Sequence, residues 1–417
     1  MLLDTLEVEF IIKLNHYFKE CVLPTSVAIG FSQQLDVQKA ALQACLQIKN
    51  QLFRLDTDFM MVFSSPEYAT KEVLEVIGKT LRPKRLVGST TGRILLAQGA
   101  TNRGIALLAI NSDEILFGIS AIDGLDNLDI HNLGFDLARL SSYDLNLTHR
   151  EIFFALSQGI EKSCSSFIRG AKESLGSAFP MVGAISSDDL AYKNLAQFYQ
   201  DQILHQSAIG MLMGGSFHLG IGLTHGFKPL GKPRTVTKVE DYIIRTIDHK
   251  PAVDLYKHFM GDDAKNLKGN VMNTHAALYP LGVYIEESRH YLLRNIIDIL
   301  EDGSIVCPEG IPEGSEVHLM ISNNEACILS AIEAARLAKA SLAERPPKLI
   351  LVFESLARHK ILGNTAYNEI QVIRDTLGAS VPFIGMCTYG EIGPFGNIKS
   401  VKHTYLHNES VLVMALA

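Results

Sequence analysis

Cysteine is scarce and scattered. Cys21, Cys45, Cys164, Cys307, Cys327 and Cys387 are all there are in 417 residues, and none forms a C-x-x-C pair. A disulfide framework or a zinc cluster is therefore not expected, and reduced, buried thiols in a cytoplasmic protein are. Long apolar runs are missing as well. No stretch reaches the ~18 uncharged apolar residues of a membrane span, and runs such as Gly104 to Ile110 have the length of a strand. Asp4, Glu7 and Glu9 stand where a secretion signal needs basic charge and an unbroken apolar core, so no signal peptide is expected. Positive charge is not in excess either: 38 Lys and Arg face 45 Asp and Glu, a formal charge of −7. A surface of that sign does not attract a polyanion, which argues against nucleic acid as a partner. There is no GxxxxGK[ST] loop, no GxGxxG opening a helix and no HExxH spacing, so neither a cofactor nor a metal is expected.

What is present is an ordinary globular composition, 47% hydrophobic and 20% charged, over a length suited to two or three domains. Asp58 to Ser64 (DFMMVFS) is a continuous apolar run of strand length. Ser65-Pro66-Glu67 then reads as a helix start, with an N-cap, proline at the first position and an acid in the first turn. Val73, Val76 and Ile77 continue at helical spacing to Arg82-Pro83, and a strand at Arg85 to Val87 leads into Gly88-Ser89-Thr90-Thr91-Gly92-Arg93, a polar turn. Strands follow at Ile94 to Ala97 and Gly104 to Ile110.

The unit recurs. Ile152 to Leu156 reads as strand, Gly159 to Leu175 as helix, and Met181-Val182-Gly183 opens the polar turn Ala184 to Asp189. A strand pair near Phe198 to Leu204 and Ser207 to Met213 follows. Lys348 to Phe353 reads as strand, Asn364 to Leu377 as helix, and Phe383-Ile384-Gly385 opens the turn Met386 to Glu391. Strands at Val401 to Leu406 and Ser410 to Leu416 close the chain. A fourth, weaker copy is expected around Tyr279 to Val283, with Gly282 as its glycine. The predicted class is α/β: two related domains of strand–helix–strand units, each with a glycine turn and a hairpin, in mixed sheets flanked by helices.

At the carboxyl end of a strand, a glycine can take positive φ and let the backbone approach a ligand closely. Gly88 and Gly385 can equally serve only to turn the chain. The neighbouring side chains favour a ligand site: Ser89, Thr90, Thr91 and Arg93 in one turn, Thr388, Tyr389 and Glu391 in another, all hydrogen-bonding groups.

Several phrases in order resemble the FIST family of sensory modules found in signal transduction proteins. They are Val87 to Arg93, Thr224-His225-Gly226-Phe227-Lys228-Pro229-Leu230-Gly231, Val236-Thr237-Lys238, Asp248-His249-Lys250-Pro251-Ala252-Val253-Asp254-Leu255-Tyr256, and Pro382 to Gly393. The resemblance implies an N-terminal extension over 1–23, a FIST N-like domain over 24–246 and a FIST C-like domain over 247–417. It implies an intracellular sensor of a small polar metabolite, an amino acid or a relative of one, coupled to a signalling output protein. Members often carry a cysteine where Ser355 stands here, followed by an arginine that matches Arg358.

Arg358 at a strand end can clamp a carboxylate with two parallel hydrogen bonds, or belong to a surface basic cluster, or pair with Glu354. Arg294 matches a family position on an apolar segment and reads as a ligand contact or a structural ion pair. Glu391 can accept from a ligand ammonium or from a neighbouring turn, and Arg93 and Glu391 can face each other across a pseudo-symmetric cleft. Cys387 reads as a buried thiol, because no base to activate it is evident. An uncharacterised hydrolase or transferase in the same cleft and a protein-binding scaffold are the alternative functions.

Overall fold

The computed structural model describes residues 24–52, 54, 56–125, 128–188, 195–261, 279–286, 289–397 and 403–417; the extension expected over 1–23 lies outside them. The architecture is α/β, with mixed sheets flanked by helices, as the sequence predicts.

Three copies of one module build the body. The first runs β1 (Ser26–Ser32), α1 (Val37–Lys49), β2 (Phe59–Ser64), α2 (Lys71–Leu81), β3 (Arg85–Thr90), the hairpin β4 (Ile94–Leu96) and β5 (Gly99–Thr101), then β6 (Ile105–Asn111). Its sheet is ordered β1-β6-β2-β3, with β2 and β3 parallel and β6 antiparallel to β1 and β2. The second runs β7 (Ile115–Ile122), α3 (Ile130–Leu145), β8 (Arg150–Ser157), α4 (Cys164–Leu175), β9 (Met181–Ile185), β10 (Gln197–Tyr199), β11 (Gln202–Leu204) and β12 (Ala208–Gly215), and repeats the order as β7-β12-β8-β9.

The third begins at β13 (Leu219–Thr224) and is interrupted. The insertion carries β14 (Lys228–Glu240), β15 (Ile243–Ile247), β16 (Lys250–Pro251), α5 (Asp254–Met260), β17 (Leu281–Ile285), β18 (His290–Arg294), β19 (Asp298–Ile299), β20 (Ile305–Val306) and β21 (Glu316–Ile321). The module resumes with α6 (Asn324–Ala340), β22 (Leu349–Ser355), α7 (Leu356–Leu362), α8 (Ala366–Leu377), β23 (Phe383–Thr388), β24 (Gly390–Pro394), β25 (Gly396–Asn397), β26 (Thr404–His407) and β27 (Val411–Leu416). The shared order is β13-β27-β22-β23.

The modules are interlocked in a ring. The hairpin that follows each third strand leaves its own sheet: β4 pairs with β23, β10 with β3, and β24 with β9. The inner faces of the three sheets enclose one apolar core containing Met61, Leu108, Phe154, Leu156, Leu351 and Met386. Aromatic pairs join each sheet to the other two: Phe59 stacks on Phe117 at 4.2 Å, Phe63 meets Phe353 edge-on at 6.1 Å, and Phe154 lies 5.2 Å from Phe353. Helices cover the outer faces, so a strand such as β2 is buried along all six residues. That double burial is why its sequence is an unbroken apolar run rather than an alternating one.

Three expectations are corrected. Gly282 is not a repeat glycine, because β17 is antiparallel to both β18 and β21 and belongs to the insertion. The helix after β2 does not start at Ser65. Pro66–Tyr68 is a single 3-10 turn, and Thr70 caps α2 by accepting from Val73 N at 3.4 Å. The helix then buries Val73, Leu74, Ile77 and Leu81 and ends at Arg82, which is left-handed with φ 45°.

The third correction concerns Gly88, Gly183 and Gly385. They lie inside β3, β9 and β23 rather than in turns, and none has positive φ. Their role is steric. A Cβ would stand 2.2 Å from Val62 O at Gly88, 2.5 Å from Ala155 O at Gly183 and 2.3 Å from Val352 O at Gly385. In each module the obstructing oxygen is on the parallel neighbour strand, so the three glycines are structurally equivalent.

The insertion folds on its own apolar cluster, including Val236, Tyr256, Leu281, Ile305 and Leu319. It is tied back through Arg294, which donates to Leu406 O at 2.9 Å and lies 3.5 Å from Glu309. Glu309 in turn accepts from Cys164 N at 2.9 Å, at the start of α4.

Candidate functional site

The ring topology brings the carboxyl ends of the three parallel strand pairs to one place. Beyond β3 and β9 the chain curls back onto its neighbour strand in the same way: Thr91 N donates to Ser64 O at 2.8 Å, and Ser186 N to Ser157 O at 2.9 Å. The three polar turns then bond to each other. Ser89 Oγ donates to Ser186 Oγ at 2.6 Å, and Gly92 N to Ser187 Oγ at 3.2 Å, joining the first turn to the second. Thr91 Oγ1 and Ser187 Oγ both donate to Cys387 O, at 2.7 and 2.6 Å, and Cys387 N donates to Arg93 O at 2.8 Å. Tyr389 OH reaches Asp188 Oδ1 at 2.5 Å, joining the third turn to the second. Thr90 bonds Ala196 through both its side chain and its backbone N–H.

Ser89, Thr90, Thr91, Arg93, Thr388, Tyr389 and Glu391 are thus brought together. Ser186, Ser187 and Asp188 complete the meeting point; the second turn was legible as polar, and its spacing from Gly88 was the signal that could have placed these three in the site. All are buried except Arg93, which is half-buried and donates to Gly92 O at 3.0 Å.

Glu391 turns inward. Thr388 Oγ1 donates to its Oε1 and Ser410 Oγ to its Oε2, the latter at 2.5 Å. Burial pushes its carboxyl up to about 8, with Glu409 adding to the rise. Glu409 is itself raised to about 8 by burial. A carboxyl held in its protonated form does not serve as the acceptor for a ligand ammonium.

Arg358 is an internal tie. It is fully buried, with Nε and Nη2 on Glu369 Oε1 at 3.0 and 2.6 Å, Nη1 on His225 O at 2.6 Å, and Nη2 also on Cys327 O and Ser330 Oγ. Desolvation and the neighbouring Glu354 lift Glu369 to about 8 against the opposing pull of Arg358. His225, within the T-H-G-F phrase, accepts from Phe227 N at its Nδ1, which leaves Nε2 to donate to Tyr291 O at 3.1 Å. Burial and then Arg358 hold its imidazole down to about 4, so it is neutral. The phrase therefore positions Arg358 and the entry to the insertion. Arg294 makes the ion pair with Glu309 given above. Ser355, buried at the end of β22, donates its backbone N–H to Ser410 O at 2.9 Å.

Beside the turns lies a group that sequence reading did not assemble: Glu354 on β22, Cys387 on β23 and His359 on α7. Burial, then Glu354, raise the Cys387 thiol well above its ordinary value, which disfavours a thiolate nucleophile. Glu354 draws the His359 imidazole up, past the opposing effect of its burial.

Comparison with known proteins gives a consistent family. The FIST N domain model matches residues 58–250 and the FIST C domain model matches residues 252–394. An uncharacterized protein of Methanocaldococcus jannaschii is 24% identical over 202 residues, 46% of this chain and 38% of that relative. The match spans well under half the length of that relative. Among solved structures, a cyanuric acid hydrolase from A. caulinodans aligns with TM-score 0.38 and 8% identity, over 94% of this chain and 99% of the other. A chorismatase aligns with TM-score 0.34 and 8% identity, over the same shares. Likeness of that degree says nothing about the chemistry of the site. No helix among the described residues is long and apolar enough to cross a membrane.

Proposed function

The chain belongs to the FIST family, an N domain followed by a C domain, and from that premise we propose that it is a ligand-binding sensory module of signal transduction. The ligand we propose is a small polar metabolite of the amino-acid class, held where the three turns meet. One observation carries this reading: hydroxyls and backbone groups from all three modules converge on the residues around Ser89, Ser187 and Thr388. A guest in contact with several modules changes the free energy of how they sit together, and a sensor needs that differential affinity between two states.

Arg93, at the half-buried edge, suits the carboxylate of such a ligand. Ser89, Thr90, Thr91, Thr388 and Tyr389 supply hydrogen bonds, with Glu391 bonded to Thr388 and Ser355 opposite it on β22, while Arg294 and Arg358 are tied to other parts of the protein. A signalling output protein is the partner this function calls for.

The test is a thermal-shift screen of the full chain over amino acids and small carboxylates, with Arg93→Ala and Ser187→Ala beside it. A true ligand raises the melting temperature of the wild type by mass action and raises that of the variants less. A flat screen with the wild type, or an equal shift in all three proteins, removes the reading. Mass spectrometry on each hit after incubation separates a binder, which returns its ligand intact, from an enzyme.

A further inference from the structure

We propose that Glu354, His359 and Cys387 form a binding site for a zinc-type divalent metal ion, with the remaining coordination left to water or a small ligand. The inference goes beyond the sensory reading and does not rest on it.

The fold builds this group from three elements. Glu354 and Cys387 are registered partners on the parallel strands β22 and β23, so their side chains leave the sheet on the same face. His359 comes back over them from the first turn of α7. One ligand atom from each residue lies within 4.8 Å of the other two.

The spacing of the closest pair decides between a hydrogen bond and a metal edge. His359 Nδ1 is 3.3 Å from Glu354 Oε1 and 3.4 Å from Oε2. A charge-assisted N–H to carboxylate bond is shorter, about 2.7–2.9 Å. Zinc–nitrogen and zinc–oxygen bonds of about 2.0–2.1 Å subtend a tetrahedral edge of about 3.3–3.4 Å, which matches the observed separation. Glu354 is 3% exposed, and its carboxylate is held between His359 and the raised carboxyl of Glu369, which hydrogen-bonds to it.

The chemistry of the donors sets the kind of ion. The donor set is one thiol, one imidazole and one carboxylate, which selects zinc or a neighbouring transition metal over magnesium or calcium. Binding deprotonates the Cys387 thiol: the S–H bond breaks, the electron pair stays on sulfur to bond the metal, and one proton passes to solvent. The side chain of His359 keeps 14% of its surface exposed, so an ion has a way in. No short motif announced this site, because strand pairing and not sequence spacing brings Cys387 to Glu354.

The experiment uses the full chain, stripped with a chelator and titrated with Zn²⁺ and Co²⁺. One equivalent should bind per chain, release a proton, and with Co²⁺ give a near-ultraviolet thiolate-to-cobalt absorption band. Cys387→Ser should abolish the band, and Glu354→Gln and His359→Ala should each weaken Zn²⁺ binding by roughly 10-fold or more. Absence of the band in folded wild-type protein, or metal bound without it, overturns the proposal. If Cys387→Ser does not fold, wild-type zinc affinity in both Glu354→Gln and His359→Ala overturns it equally.

Discussion

Replacing one hydrogen with a methyl group at three distant positions should give three nearly equal penalties. Gly88, Gly183 and Gly385 lie 95 and 202 residues apart in sequence, yet each fills the same place opposite a parallel neighbour. The added Cβ would stand 2.2, 2.5 and 2.3 Å from a backbone carbonyl oxygen, about 1 Å inside contact. Backbone within a sheet buried on both faces cannot step aside as a side chain can, so the strands must part. Overpacking of this kind costs about 3 kcal/mol or more. Gly282→Ala is the control. There the obstacles are Met320 Sδ and Cγ at 2.4 and 2.6 Å, a side chain that can rotate, and the cost should stay near 1 kcal/mol. Urea denaturation of the four variants reads the difference as shifts in midpoint at constant slope. Equal tolerance at all four positions, or a Gly282→Ala cost matching the others, would refute the threefold module and its steric origin.

Other consequences are directly measurable. Glu391 and Glu409 keep protons in the folded state up to about pH 8 and lose them near 4.5 when unfolded. The folded state therefore binds more protons between those values, and stability falls as pH rises from 4.5 to 8, by a ceiling of about 5 kcal/mol per group. Glu391→Gln should flatten that decline in a pH series of urea midpoints; an unchanged slope would contradict the assignment. Arg358→Ala leaves Glu369 without its buried partner and should cost about 3–5 kcal/mol; a loss below 1 kcal/mol would show the pair to be dispensable. Arg294→Ala should speed amide exchange in β18 and in Thr404–His407 while leaving β2 and β8 protected. Uniform loosening would argue that the insertion and the body unfold as one unit.

The sequence disclosed the modules better than their assembly. β2, β22 and β23 are continuous apolar runs because helices cover one face and the shared core the other, and that burial is visible as composition. The hairpins β4, β10 and β24 gave no sign that each joins a different sheet, since strand exchange leaves no local signature. The gap between Gly183 and Gly385 has the length of a fourth module, whereas it holds an insertion with its own cluster around Tyr256 and Leu281. Arg358 followed by His359 and Lys360 reads as a surface basic patch. Its burial depends on Glu369 from the next helix, α8, and on carbonyls from His225 and Cys327, 133 and 31 residues away in sequence. Glu354 and Cys387 were unreadable as neighbours for the same reason: their contact exists only in the register of β22 with β23.

The central claim is that three turns enclose a guest molecule. Crystals of the full chain purified without exchange from the cells that make it test this most directly, through difference density among Ser89, Ser187, Arg93 and Thr388. Density within hydrogen-bonding distance of groups from at least two modules, matched by mass spectrometry to a small polar compound released from the same sample, is the expected result. A space there filled by the protein's own side chains, in a sample that releases no such compound, would contradict it.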